Sequence, residues 1–307
     1  MLLPQDGTRR RVAQVSRPVF LFLSLATALA AQSLSGVIDI HVHAAPDSVP
    51  RSIDAITLAR LAKSKGMRGL VLKSHYEPTA SLAWMVRRIV PGIEIFGSID
   101  LNRTVGGVNP AAVERMTMML GGLGRVVWMP TLDAENQVRY SRENRPYVAV
   151  ESGGELLPEV KQVIAIVAKH KLTLETGHSS AAEALLIIRE ARKQGVEHIV
   201  VTHAMLAPVR MTIPQMKEAA GLGAYIEFVY NGLIGPGKMF DMAEYAQAIR
   251  QVGPDHCILA SDLGQVGNPL HPDGLLAFFQ GLKAQGLTNA EIGRMSRTNP
   301  AKALGLE

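Results

Sequence analysis

The sequence predicts an α/β fold: a single (β/α)8 barrel over residues 36–307, preceded by a short export signal. Three observations carry that reading. Eight short runs rich in Val, Ile and Leu recur along the chain. They are continuously apolar rather than alternating, as expected of strands buried on both faces of a parallel sheet. Stretches rich in Ala, Leu, Lys and Arg lie between them and read as helices. Eight such units in about 270 residues match the arithmetic of a closed barrel. An open doubly wound sheet would have fewer strands and a Gly-rich turn after the first, and here the first run ends in histidines.

In chain order the strands are expected at residues 37–43, 69–73, 94–100, 125–131, 172–176, 198–202, 224–229 and 257–261. Helices are expected at 53–65, 158–170, 181–194 and 245–252. Ser180 stands three residues before Glu183, and Thr288 three before Glu291, both capping-box spacings. Gly66, Gly195 and Gly253 sit where helices should stop. Strand starts are roughly 25–33 residues apart except between the fourth and fifth, where about 47 intervene. The extra length is a polar loop over 133–154, placed to cover the catalytic rim. Its Arg139, Arg142 and Arg145 alternate with Glu135 and Glu143 and read as a solvated mixed-charge surface.

The first 30 residues read as the export signal. Arg9, Arg10, Arg11 and Arg17 precede an apolar run from Val19 to Ala31 that ends in Ala28-Leu29-Ala30, a small-x-small cleavage pattern. That run is shorter than the ~20 residues a membrane span requires, so no stable membrane anchor is expected. The expected location is periplasmic or secreted, or cytoplasmic if the start codon is mis-assigned. The net charge of +5 falls to about +2 without this segment and gives no argument for nucleic acid. Aromatics at 5% leave few stacking platforms for single strands. Hydrophobic residues at 47% exclude a disordered chain, and one cysteine excludes an internal disulfide or a multi-cysteine zinc site. The expected partner is a small-molecule substrate, with the oligomeric state open.

Chemistry concentrates at strand ends. His41 and His43 close the first strand; two residues apart, they point the same way and can share one cation. Strand five ends in Glu175-Thr176-Gly177-His178, strand six in Thr202-His203 and strand eight in Ser261-Asp262. All strand C-termini of a parallel barrel meet at one rim. His198 and His256, by contrast, fall at strand starts. The five rim residues are therefore candidate ligands of a divalent metal, with zinc as the expected ion and one or two ions to be held. Asp39 shares their parity but lies deeper. Cys257 has opposite parity to Asp262 and should face the outer helices.

This set resembles the amidohydrolase superfamily: H-x-H on strand one, histidines on strands five and six, and an aspartate on strand eight. The tail from Asn299-Pro300-Ala301 is similar to a segment that often follows the last helix there. The resemblance implies that His41, His43 and Asp262 hold one ion and His178 and His203 the other. It also implies metal-dependent hydrolysis of an amide, ester or lactone-type bond, with Asp262 as general acid/base and His203 in the catalytic set. Alternatives are a metal-dependent decarboxylase or lyase on a small carboxylic acid, and a barrel that binds ligand without turnover. One departure stands out: the bridging lysine or glutamate often found at the end of strand four is missing. Lys73, at the end of strand two, is read three ways: a carbamylated metal bridge, an ammonium gripping a substrate carboxylate, or a side chain turned outward. His75 is a candidate metal ligand or substrate contact, and Asp133 a weaker candidate bridge. His271 and Arg51 are candidate substrate contacts. Asn102, Tyr230 and Asn231 are rim residues, and Met116, Met118 and Met119 read as helix packing.

Overall fold

The computed structural model describes residues 33–306. The expected export signal lies outside the described residues. Eight parallel strands form one sheet: Ile38–His43, Gly69–Lys73, Glu94–Asp100, Gly124–Trp128, Thr173–Glu175, His198–Val201, Tyr225–Val229 and Cys257–Ala260. They are hydrogen-bonded in sequence order. The first and last meet through a parallel bridge between Val42 and Leu263. At this seam His43 N–H donates to the Leu263 carbonyl at 3.0 Å and Asp262 N–H to that of His41 at 2.9 Å. Nearly every strand residue is buried, which is why the runs are continuously apolar.

Strand four stops at Trp128, short of the expected residue 131, because Pro130 brings no N–H to the ladder. Strand eight stops at Ala260, since the chain turns to a positive φ of 50° at Asp262. Both expected capping boxes form, Ser180 opening α6 (Ala181–Lys193) and Thr288 the short helix Asn289–Gly293. A third, Asp241 with Glu244, opens the helix Met242–Val252, which starts three residues earlier than its apolar pattern suggests. Helix α1 (Ala55–Ser64) begins after Asp54, whose carboxylate accepts from the N–H groups of Ile56 and Thr57.

The long insertion holds α4 (Glu135–Tyr140) and a two-stranded ribbon, Glu151–Ser152 with Glu155–Leu156. Arg139 pairs with Glu135 on the surface as expected. Arg145 does not stay solvated: it pairs with Asp133 and donates to the Leu132 carbonyl at 2.7 Å, pinning the base of the insertion. The methionine cluster also divides. Met116 is buried, but Met118 and Met119 are exposed because α3 (Pro110–Thr117) has ended before them.

Candidate metal centre

The C-terminal strand ends enclose a cavity of about 410 Å³ that His41, His43, His178, His203, Lys73 and Asp262 help to line. The Nε2 atoms of His41 and His43 lie 3.1 and 3.2 Å from the same Asp262 oxygen, Oδ1. One ligand atom from each of the three falls within 4.8 Å of the others. Beside them the Nε2 atoms of His178 and His203 are 3.2 Å apart. The two groups adjoin, with the His41 and His203 ring centroids 6.0 Å apart.

Local sequence enforces this geometry. Alternation along strand one turns His41 and His43 inward. Gly177 precedes His178 with φ of 62°, and a Cβ there would come within 2.3 Å of the Met129 carbonyl oxygen, so only glycine lets strand five turn toward strand four. His203 and Asp262 hold φ of 25° and 50°. Such conformations cost of order 1–3 kcal/mol in residues with a Cβ and cluster where function over-determines the backbone.

Two of the four histidines, His41 and His178, are oriented from behind. Both Glu227 carboxylate oxygens lie near His41 Nδ1, at 3.1 and 3.2 Å, and Glu227 Oε2 also accepts the backbone N–H of His203 at 2.8 Å. His41 thus faces Glu227 through Nδ1 and turns its Nε2 to Asp262 and the cavity. His178 Nδ1 sits 2.8 Å from Gln137 Oε1 of α4, an amide oxygen that can only accept, so the neutral His178 turns a bare Nε2 inward. The insertion is thus a buttress for the rim; it contributes only Leu132 to the cavity wall. Carboxylate-oriented and carbonyl-oriented imidazoles are the arrangement metal-binding histidines use. Two nitrogens and a carboxylate oxygen converging on one point also make a donor set suited to zinc or another divalent transition metal.

Charge follows burial and partners. Burial disfavours the cationic form of all four imidazoles, driving His43 and His178 well below the usual range and His203 down to about 4. In His41 burial is outweighed by Asp262 and then Glu227, which push it up to about 10. Burial also opposes ionisation of Asp262, but His41 and His43 hold it well below the ordinary carboxylate range. Deeper in the barrel, burial and the neighbouring Glu227 raise Glu175 strongly, and burial raises Asp39 to about 6. Asp39 is the deeper carboxylate the sequence suggests, accepting the Ser261 and His41 N–H groups.

Lys73 is not turned outward: it lines the cavity, with Nζ 3.0 Å from Asp100 Oδ2 and 4.7 Å over the Trp128 ring. His75 and Arg51 also line the cavity. His75 Nδ1 faces Thr131 Oγ1 at 2.8 Å, and Arg51 is held by Asp47 through Nε at 2.8 Å. Asn231 joins the wall and donates to Asp262 Oδ2 at 3.4 Å.

Other expected contacts are not brought in. His271 is fully buried at the start of α9 (His271–Ala284), its Nε2 donating to the Leu263 carbonyl at 2.7 Å; it braces the loop after strand eight instead of facing substrate. Tyr230 packs on Phe278, and Asn102 is spent on the Thr131 and His75 backbone and side-chain groups behind the wall. Asp133 is tied to Arg145 and so is no bridge. Glu227, Asp100, Gln137 and Glu175 went unmarked as site residues in the sequence.

The family model that matches residues 36–227 is described as a family of unknown function, DUF6282. The chain belongs to that family. The match ends at Glu227, so the family segment includes His41, His43, Lys73, His178 and His203 but not Asp262. No curated protein matches the chain by sequence. Solved structures of the amidohydrolase superfamily share its fold. An amidohydrolase from Pseudomonas aeruginosa aligns at TM-score 0.61 and 13% identity, over 88% of this chain and 95% of that one. A phosphotriesterase homology protein from Escherichia coli, with phosphate in its active site, aligns at 0.59 and 17%, over 88% and 99%. A 2,6-dihydroxybenzoate decarboxylase from Rhizobium aligns at 0.55 and 14%, over 89% and 99%. These likenesses establish the barrel.

Proposed function

We propose that this protein is a metal-dependent hydrolase of small molecules, acting on an amide, ester or lactone-type bond. The observation that carries this reading is the meeting of His41, His43 and Asp262, whose ligand atoms lie within 4.8 Å of one another at the mouth of the barrel. These three would hold one divalent cation, zinc by the chemistry of the donors, and the His178–His203 pair offers two further nitrogens. Such a cation supplies Lewis acidity toward a substrate oxygen and a water, lowering the water's pKa to about 7 in zinc sites.

The chain's own groups do the rest. Asp262, held ionised on the cavity wall, takes the proton of the attacking water and returns it to the leaving group, a contribution of typically 10²–10⁴-fold. Asn231, donating to Asp262 Oδ2, fixes the carboxylate while Oδ1 faces the histidines. Glu227 holds the ring of His41 and the backbone of His203 in one network. His203, neutral at physiological pH, faces His178 through Nε2, the nitrogen with which it would hold or orient a ligand.

A lyase reaction on a carboxylic acid is the second reading, supported by Lys73 and Arg51 on the cavity wall. The test is metal quantification on purified protein, followed by panels of amides, esters, lactones, phosphoesters and carboxylic acids. One or two equivalents of metal with hydrolytic turnover abolished in Asp262→Asn is the expected result. Metal-free protein, or turnover of acids only with release of carbon dioxide, would overturn the hydrolase reading.

A further inference from the structure

Lys73 lines the same cavity as the candidate ligands, and its surroundings are built for a cation. Asp100 is 1% exposed, and among the described residues Lys73 is its nearest cationic partner, with Nζ 3.0 Å from Oδ2. The same Asp100 oxygen takes the Thr131 hydroxyl at 3.1 Å, while Oδ1 has no partner. Removing the positive charge would leave a buried carboxylate uncompensated. On its other side Nζ lies 4.7 Å over the face of Trp128. The negative face of an indole attracts an ammonium and repels an anion. A carbamate at Nζ would therefore meet a buried carboxylate and a π-face at once.

An ammonium has three donors and no acceptor. One is directed at Asp100, and His75 Nδ1 stands 3.3 Å away. At least one donor is left for whatever occupies the cavity. Arg51 is arranged alike, with the buried Asp47 binding its Nε and Nη2 from one side. Each cation is already partly offset by its own buried carboxylate. The pair therefore suits a single negative charge better than a dianion.

Taking the cavity as the hydrolytic site proposed above, we infer that Lys73 is a free ammonium that anchors a carboxylate on the substrate, so that the substrates are small organic acids carrying the bond to be cleaved. The metal set is then completed without Lys73. About 410 Å³ limits such a molecule to roughly the size of one or two rings.

The experiment uses the metal-loaded protein with benzoate, methyl benzoate and inorganic phosphate as probes, read by calorimetry, alongside metal content. Benzoate should bind and methyl benzoate should not. Lys73→Met should keep the wild-type metal content and weaken benzoate at least tenfold. Lys73→Met/Asp100→Asn, which removes both charges together, should behave the same way and guards against a folding defect from an orphaned Asp100. Wild-type protein equilibrated with ¹³C-bicarbonate should show no lysine carbamate signal in its NMR spectrum. Loss of metal in both variants, a carbamate signal, unchanged benzoate affinity, or tighter binding of phosphate than of benzoate would each overturn the proposal. Wild-type protein that binds no metal but still prefers benzoate through Lys73 would sink the hydrolase reading and leave the anion site standing.

Discussion

The two ends of the barrel are built from the same strands and obey different rules. At the C-terminal end, His203 and Asp262 adopt positive φ, and His43 Nδ1 and His203 Nδ1 are buried without partners. At the opposite end Lys171 holds φ of 50° and Arg125 Nε is buried without a partner, but the polar groups of the tail are matched. Asn299 donates through Nδ2 to the Pro254 and Cys257 carbonyls at 2.9 and 2.7 Å, and the Thr173 hydroxyl donates to the Ala303 carbonyl at 2.7 Å. The Cys257 thiol is buried beside the Gly253 carbonyl, and burial raises its pKa. At the upper end the strain falls on the candidate ligands His203 and Asp262 themselves; at the lower end it falls on Lys171, outside any site. The tail Asn299-Pro300-Ala301 is tied to the lower end of the barrel by these bonds.

Breaking the upper end should give the largest effects. His41→Ala/His43→Ala is expected to abolish stoichiometric metal binding, measured by elemental analysis after dialysis, with the fold retained by circular dichroism. Asp262→Asn should lower turnover of any substrate identified by 10²–10⁴-fold. Glu227→Gln should act through His41, lowering metal affinity about 10–100-fold in competition with a chelator. If Glu227→Gln left metal affinity unchanged, Glu227 would be a core carboxylate and no more. At the lower end the signs reverse. Asn299→Ala leaves two carbonyls without their donor and should cost about 1–3 kcal/mol in denaturant unfolding, with metal affinity unchanged.

The smallest effect is one of pH. Burial lowers His198, at the start of strand six, below its ordinary value of 6.5. The unfolded chain therefore takes up a proton that the folded chain refuses, so stability is full above about pH 6.5 and declines as pH falls below it. His198→Gln should flatten the thermal midpoint between pH 7.5 and 5 by a small amount. A variant as pH-sensitive as wild type in this window would assign the effect to another group.

The strands and the five strand-end ligand candidates were legible in the sequence because parallel-barrel burial writes itself as continuous apolar runs, and a histidine or aspartate closing such a run is conspicuous. Glu227 left the same kind of trace, a carboxylate inside the apolar run Tyr225–Val229, and parity would have placed it inward. Asp100 closes strand three as Asp262 follows strand eight and was equally visible. Gln137 left none, since an amide on a short surface-like helix gives no hint of the ring it meets 41 residues later. His271 misled for a related reason: chain proximity to strand eight fixed its neighbourhood but not its direction, which the turn into α9 decides.

The seam where strand one meets strand eight has a consequence for assembly. Ser261 Oγ bonds to the His41 carbonyl across 220 residues of chain, and Asp262 N–H to the same carbonyl. The three clustered donors therefore cannot gather until the last strand has docked beside the first. In the proposed metal centre, cation capture would be a late event in the history of each molecule, reserved for chains that have completed the ring, and a polypeptide truncated before strand eight would carry the four candidate histidine ligands yet lack the pocket that joins them.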